Sequence, residues 1–475
     1  MSVPVISVAQ MREWERATWA TGQTEAEVIR RVGQALGRRA VQLTRAGETI
    51  LILAGRGHNG DDARAAHEAL VGRRVSELLE VAAPEMDLPK LEAALARRPA
   101  LVIDGLFGIG LNRPLDDAWG EFIGRLNQAR VRVLAVDVPS GLNADTGETF
   151  GAAVEAVVTL TVGAAKIGLL QHNAWPFVGR LEVATDVGLA VCPPVGELNW
   201  TMPEDFDGLP LRRHAAAHKG SFGHLGILAG SLGYHGAAVL AARGAQRAQP
   251  GLITVLTHEP AYHPVAAQLQ AVMVSPWLAT SKLPGDFSAV LIGPGLAAPA
   301  LPDEMKLTAR RVWRDALQPV IVDASALDWL PLDPVPKNAI RVITPHPGEA
   351  ARLLKTTTQT VQADRSRAVR EISRRFGNCW VVLKGHQTLV GRSSGATFVN
   401  PSGNPHLAQG GSGDVLAGFI GGLLAQPAWQ SGAEMALRYA VWQHGAAADA
   451  LQNEQPNWTV EDLIGLLGAE RSGEE

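Results

Sequence analysis

Apolar residues recur along this chain with two different periods. In VAQMREWERATWA, Met11, Trp14 and Ala17 to Thr18 fall three to four apart, and in EAEVIRRVGQALGRRAVQL the same spacing links Val28, Val32, Leu36 and Ala40. This predicts two packing helices. The next stretch, TILILAG (Thr49 to Gly55), is apolar on both faces, as a central parallel strand is, and breaks off in GRGHNGDDARAAHEAL. ALVIDGLFGIGLNRPL then carries Asp104 to a strand end, and RVLAVDVPSGLNADTG carries Asp137 and Ser140 to another. In an open doubly wound sheet the carboxyl ends of the strands face one crevice, so Asn59, Asp104, Asp137 and Ser140 are expected to converge.

Periodicity lapses between Asp186 and Lys219, where VGLAVCPPVGELNW and PEDFDGLPLRR are punctuated by proline. A domain boundary is placed there, giving domains of residues 1–200 and 201–475. Beyond it HKGSFGHLGILAGSLGYHGAAVLAARGAQRAQPGLITVL restarts the α/β pattern, with a strand at Leu225 to Ala229, a glycine turn over Gly230 to Gly236, a helix from Gly236 and a strand at Leu252 to Leu256. AVLIGPGL, PVIVDASAL, RVITPHPGEAARLL and CWVVLKGHQT are each a short apolar strand that ends in a polar or glycine-rich loop.

Composition narrows the class. A chain of 475 residues exceeds one ordinary core. Forty-three basic against 47 acidic residues, with no polybasic run, argues against nucleic acid and membrane surfaces as partners. Cys192 and Cys379 have neither metal-ligand spacing nor a disulfide framework, which suits a reducing compartment. The N-terminus lacks a basic region followed by an apolar core, and no apolar run reaches membrane-spanning length, so a cytoplasmic α/β protein is expected. Self-association as a homo-oligomer is left open.

The stretch richest in chemistry is NPSGNPHLAQGGSGDVLAGFIGGLLAQ, Asn400 to Gln426. Its turn Gly410, Gly411, Ser412, Gly413 delivers a carboxylate, Asp414, to the start of an apolar helix. Glycines there let successive N–H groups face an anion, and the helix adds its positive dipole end. This is a phosphate cradle beside a base; the simpler alternative is an N-capped turn. GPG (Gly293 to Gly295) lets a ligand approach the backbone, TPHPGEA presents His346 from a proline-held turn, and KGHQT places Lys384 at a strand end. Each residue alone has an ordinary reading: Asp104 and Asp137 as helix caps, Asn59 in an Asx turn, Lys384 as a solvated lysine.

Taken together, HKGSFG, GSLGYHGAA, TPHPGEA and NPSGNPHLAQGGSGD resemble the ADP- or ATP-dependent NAD(P)H-hydrate dehydratases of the ribokinase-like superfamily. The three first-half loops resemble the NAD(P)H-hydrate epimerase domain, with AAKIGLLQ and GRLEVATDVG also fitting. The resemblance implies a Rossmann-like domain followed by a ribokinase-like α/β/α domain. It implies that Ala237, Gly295, His346 and Asp414 contact the hydrate, that Lys384, Gly385, His386, Gln387, Thr388 and Gly413 bind ADP or ATP, with Mg2+, and that Asp414 is the base. For the epimerase half it implies that His58, Asn59, Gly60, Asp61 and Asp62 of the first loop surround the nucleotide. Gly108, Ile109 and Gly110 join them, with Leu111, Asn112, Arg113, Pro114 and Asp137, while Asn59, Asp104 and Ser140 hold potassium.

This chain reads HNGDD where the family reads Asn-Asn-Gly-Gly-Asp, and VIRRVGQAL where it has Met-Glu-Asn-Ala-Gly. A charge on Asp61 about 4 Å from a phosphate, at an effective dielectric near 20, is repelled by roughly 4 kcal/mol before screening. Asp61 escapes that if it caps a helix or pairs with Arg56 or Arg64, and retained epimerisation is the expectation. Two other readings stand beside this one: a small-molecule kinase of the vitamin or sugar type, whose phosphorylated product would be stable, and a first half that binds nucleotide without turnover.

Overall fold

The structure is a computed structural model that describes residues 2–193, 196–278, 281, 283 and 285–469. The chain forms two compact units, one of Val3–Gly196 and one that begins at Glu197. Among the described residues no helix is long and apolar enough to cross a membrane.

The first unit opens with α1 (Val8–Trp19) and α2 (Glu25–Gln42), followed by β1 (Thr49–Ala54), α3 (His58–Leu70), β2 (Val75–Glu80), α4 (Pro84–Ala96), β3 (Leu101–Gly105), α5 (Asp117–Gln128), β4 (Val133–Val136), β5 (Val158–Val162) and β6 (Arg180–Ala184). The strands form one six-stranded sheet in the order β2-β1-β3-β4-β5-β6, parallel throughout. Alternation along β1 feeds two cores: Ile50, Ile52 and Ala54 pack with Val32 and Leu36 of α2 and Ala63 and Ala66 of α3, whereas Leu51 and Leu53 meet Leu91, Phe122 and Ile123 of α4 and α5. That is why the strand is apolar at every position from Ile50 to Ala54. Met11 and Trp14 of α1 are buried, and of the pair Ala17 to Thr18 that the spacing put on the packed face, Thr18 is buried and Ala17 is exposed. The chain runs outward from β1 to β2 and returns to β3, so the sheet reverses direction between β1 and β3. The reversal opens a crevice where these two strands end.

The second unit contains β7 (Leu198–Trp200), β8 (His224–Leu228), α6 (His235–Ala248), β9 (Leu252–His258), β10 (Met273–Trp277), β11 (Ala289–Ile292), α7 (Asp303–Asp315), β12 (Val320–Val322), β13 (Arg341–Ile343), α8 (Pro347–Leu354), α9 (Arg365–Arg375), β14 (Trp380–Leu383), β15 (Leu389–Gly391), β16 (Thr397–Val399), α10 (Ser412–Leu424) and α11 (Ala433–Glu454). Their order is β7-β16-β15-β14-β13-β12-β11-β8-β9-β10. The run from β14 to β10 is parallel, and β15 turns back antiparallel on both β14 and β16. The reversal of direction here lies between β8 and β11, whose following loops meet: Gly230 N–H donates to Pro294 O at 2.8 Å.

Helix α10 packs against α6 at backbone distance. A Cβ at Gly418 would lie 1.9 Å from Ala241 O, and one at Gly244 would lie 2.3 Å from Val415 O. Glycine at these positions lets two buried helices approach far closer than side chains would allow, and it fixes where α10 begins.

Candidate active sites

A cavity of about 730 Å³ opens at the reversal point of the first unit, lined by the ends of β1 and β3 and by α1 and α2. Asp104 is fully buried: Oδ1 accepts from Ser140 Oγ at 2.6 Å and Oδ2 from Ser140 N at 2.9 Å. Phe107 N–H donates to Ser140 Oγ at 2.8 Å, and Asn59 Nδ2 donates to Phe107 O at 3.0 Å. Asn59, Asp104 and Ser140 thus meet through one loop. Asp104 has only neutral partners among the described residues, and burial pushes its carboxyl above the usual range against the pull of Ser140.

Asp137 sits beyond β4 at a φ of 62° and lines the cavity. Its Oδ1 accepts from Lys166 Nζ at 2.5 Å, from Thr161 Oγ1 at 2.9 Å and from Val162 N at 2.9 Å. Lys166 is wholly buried and also donates to Val162 O at 2.8 Å. Three further carboxyl groups line the cavity, Glu25 at its mouth and, deeper, Glu15 and Asp62. The latter two are both raised, chiefly by burial and then by the nearby Asp137.

Asp61 departs from its expected place. It lies in the first turn of α3, has no need of a positive φ, pairs with Arg64 Nη1 at 2.8 Å, and does not line the cavity. Arg64 is held in turn by Glu80 and Gly55 O. Pairing with Arg64 turns the Asp61 charge off the cavity lining, the second of the two escapes anticipated for it, although its field still contributes to raising Asp62. Gly60 also lies off the lining, under the loop, where a Cβ would meet Gly55 O at 2.0 Å; Pro114 is likewise off it. His58 lines the mouth, its Nδ1 3.0 Å from Glu25 Oε1. Gly108, Ile109, Gly110, Leu111, Asn112 and Arg113 line the cavity as a continuous strip.

In the second unit the glycine turn lies on α6. Gly411 has a φ of 97°, and a Cβ there would lie 2.4 Å from Leu240 Cδ1. One turn earlier on the same helix, a Cβ at Gly295 would lie 2.8 Å from Ala237 Cβ, so these two expected hydrate contacts are neighbours. Ser412 N–H donates to Gln409 O at 3.3 Å and Val415 N–H to Gly411 O at 3.0 Å. Among the described residues no protein acceptor takes the N–H groups of Gly410, Gly411, Gly413 or Asp414. The loop before the turn is tied to α11, with Ser402 Oγ donating to Trp442 O at 2.8 Å and Asn404 Nδ2 to Ala448 O at 2.8 Å.

Asp414 is half-buried, and its carboxyl is pushed up to about 7: burial and Asp323 raise it, Lys384 opposes, and Glu349 adds. Lys384 Nζ lies 2.7 Å from Asp323 Oδ1 and 3.2 Å from where a Gly413 Cβ would stand. Burial pulls its ammonium down, but Asp323, Glu349 and Asp414 outweigh that and hold it raised. His346 caps α8, its Nδ1 accepting from Gly348 N at 3.0 Å while its own N–H donates to Glu349 Oε2 at 2.8 Å. That leaves Nε2 to carry the proton of a neutral ring. Gly385 and Gln387 take positive φ in the loop of Lys384, Gly385, His386, Gln387 and Thr388. Buried Arg365, lowered by burial to about 10, holds this loop by donating to the carbonyls of Leu383, Lys384, His386 and Gln387.

Residues 225–465 match the NAD(P)H-hydrate dehydratase family, and residues 73–168 match the family described as YjeF-related protein N-terminus. The bifunctional NAD(P)H-hydrate repair enzyme Nnr of Gloeobacter violaceus is 36% identical over 486 residues, covering 94% of this chain and 93% of its own. The chain belongs to this family of bifunctional NAD(P)H-hydrate repair enzymes. Nnr of Escherichia coli is 33% identical over 469 residues, covering 93% of this chain and 88% of the relative. A ribokinase-like superfamily protein from Enterococcus faecalis superposes with a TM-score of 0.50 at 23% identity, over 58% of this chain and 96% of that one, a likeness of fold alone.

In this repair-enzyme chain the sequence reading overlooked Lys166, Asp323, Glu349, Arg365 and His444. Asp323 follows an apolar strand as Asp104 and Asp137 do, and that signal would have found it. Glu349 carries a local signal as well, closing a capping box with His346 three residues before it, whereas nothing local distinguishes Lys166, Arg365 and His444.

Proposed function

We propose that this chain repairs hydrated NADH and NADPH in the cytoplasm, the first unit interconverting R and S hydrates and the second dehydrating the S epimer with ADP or ATP as phosphoryl donor. The observation that carries the second half is Asp414, its carboxyl pushed up to about 7 at the start of a helix where the N–H groups of Gly411, Gly413 and Asp414 have no protein acceptor among the described residues. Asp414 takes the proton of the 6-hydroxyl as that oxygen attacks the terminal phosphoryl of Mg2+-bound nucleotide. The new O–P bond forms as the bridging P–O bond breaks, releasing AMP from ADP or ADP from ATP. The N–H groups of Gly410, Gly411 and Gly413 and the ammonium of Lys384 face the transferring charge. The ring nitrogen's lone pair then expels phosphate from C6, and loss of a C5 proton restores the dihydronicotinamide. His346, Gly295 and Ala237 orient the hydrate, and the loop of Lys384 to Thr388 holds the nucleotide.

In the first unit the pair Asp137 and Lys166 supplies a base and an acid beside one another. The oxygens of Asn59, Asp104, Ser140 and Phe107 form a hard-donor set around a carboxylate that has no cationic partner among the described residues. This fits potassium, which would neutralise Asp104 and fix the loop that lines the cavity. Offering the protein hydrated NADH with ADP, and separately with ATP, tests the reading: dihydronicotinamide absorbance returns with release of phosphate. Accumulation of a phosphorylated small molecule without phosphate release would establish a kinase instead.

A further inference from the structure

Resting on the dehydratase reading, we propose that His444 is a positioning residue for phosphoryl transfer, holding the Ser412 carbonyl so that the Gly413 N–H is aimed at the transferred group. His444 lies on α11, buried, with Nε2 3.1 Å from Ser412 O and 3.3 Å from Ser412 Oγ. A carbonyl oxygen only accepts, so the ring nitrogen facing it carries the proton. Burial holds this imidazole down near 4, and the ring is neutral at working pH. One N–H is thus shared between the carbonyl and the hydroxyl of the same residue.

The Ser412 carbonyl and the Gly413 N–H belong to a single planar trans peptide, in which they point in opposite directions. Fixing one fixes the other. The peptide is the first of α10, so helical bonding already orients it, but glycines at 410, 411 and 413 leave the turn before and beside it without Cβ atoms to restrict it, and the His444 N–H is a brace that adds a second hold on the same carbonyl. Ser412 is the one residue of the turn that has a side chain, and it is the one that His444 grips. The brace is itself rigid, since α11 also anchors Ser402 and Asn404 of the loop that leads into the turn.

The test measures ADP-dependent dehydration of hydrated NADH by the full chain and by His444→Phe, His444→Asn and His444→Gln. Glutamine places an amide N–H near the position of Nε2, whereas asparagine is polar but too short to reach Ser412. Misaiming one donor of an anion hole is expected to lower kcat by roughly tenfold to a hundredfold in the Phe and Asn proteins, with KM for ADP and for hydrate within about threefold of the parent. Gln should recover kcat to within about threefold. If Phe folds poorly, the contrast between Asn and Gln decides the matter alone. The proposal is overturned if Asn or Phe retains parental kcat, if the loss falls on KM, or if Gln is as slow as Asn. A parent without ADP-dependent turnover would instead remove the dehydratase assignment itself.

Discussion

Asp414 shows how much one residue's surroundings decide. A carboxylate in water is a poor base at pH 7, but burial and the neighbouring Asp323 push Asp414 up to about 7, with Lys384 limiting the rise. The basic form is the ionised one, so the competent fraction falls as pH drops through that value. kcat for dehydration should therefore decline about tenfold per pH unit below the limb and level off above it. Asp414→Asn, which keeps size and most hydrogen bonding, should still bind nucleotide while kcat falls by roughly two to four orders of magnitude; unchanged turnover would refute the role. Asp61 makes the opposite case. It is partly exposed, bound to Arg64 and off the cavity lining, so Asp61→Gly should leave epimerisation within about threefold of the parent. Stability should drop by no more than about 1 kcal/mol from the lost pair and helix-end charge, with a further ~1 kcal/mol from glycine in a helix, read from a denaturant midpoint. Asp414, His346 and the first-half strand ends were legible because local wording marks them. Lys166 and His444 were not, since their chemistry arises from partners 29 and 32 residues away; Asp323 stood at a readable strand end, but its partner Lys384 lies 61 residues on.

At the scale of elements, the apolar strands and their polar ends read directly from sequence, and the helices by their spacing. The strand β2 escaped because VSELLE is an edge strand whose exposed positions carry Glu77 and Glu80 in ion pairs rather than an apolar run. The antiparallel turn-back of β15 and β16 escaped because these strands are short and separated by RSSGA, with no helix between them to set a spacing. Glycine ordinarily weakens a helix, but in α10 Gly418 is the means of its close approach to α6. Gly418→Ala should consequently cost ~1–3 kcal/mol or more, since even a methyl group meets the Ala241 carbonyl, and it should slow dehydration by displacing Asp414 while leaving epimerisation intact. Gly465→Ala is the control: it lies in a helix with nothing within 4 Å of the new Cβ, and should stabilise by ~0.4–1 kcal/mol. A thermal melt of both proteins distinguishes a packing role from a generic dislike of alanine.

For the whole molecule, each unit places its chemistry where its own sheet reverses direction, and the two sites have separate residues and separate acids and bases. Their division of labour should be visible in a mixture of R and S hydrates. With ADP, the parent should return dihydronicotinamide from the entire mixture, because material of the unconsumed epimer is continually converted. Silencing the first unit needs care: Asp137→Asn alone would leave the wholly buried Lys166 charge without its carboxylate, which can cost 3–5 kcal/mol in comparable sites and so confuse loss of chemistry with loss of fold. Replacing both partners, Asp137→Asn with Lys166→Met, removes the two charges together and retains the bulk of the lysine stem. That protein should return the S fraction at the parental rate and then slow to the spontaneous rate of epimerisation, while Asp414→Asn should return nothing yet still equilibrate the two epimers. A doubly substituted protein that consumes the whole mixture in one phase would show that interconversion does not depend on the Asp137 and Lys166 pair.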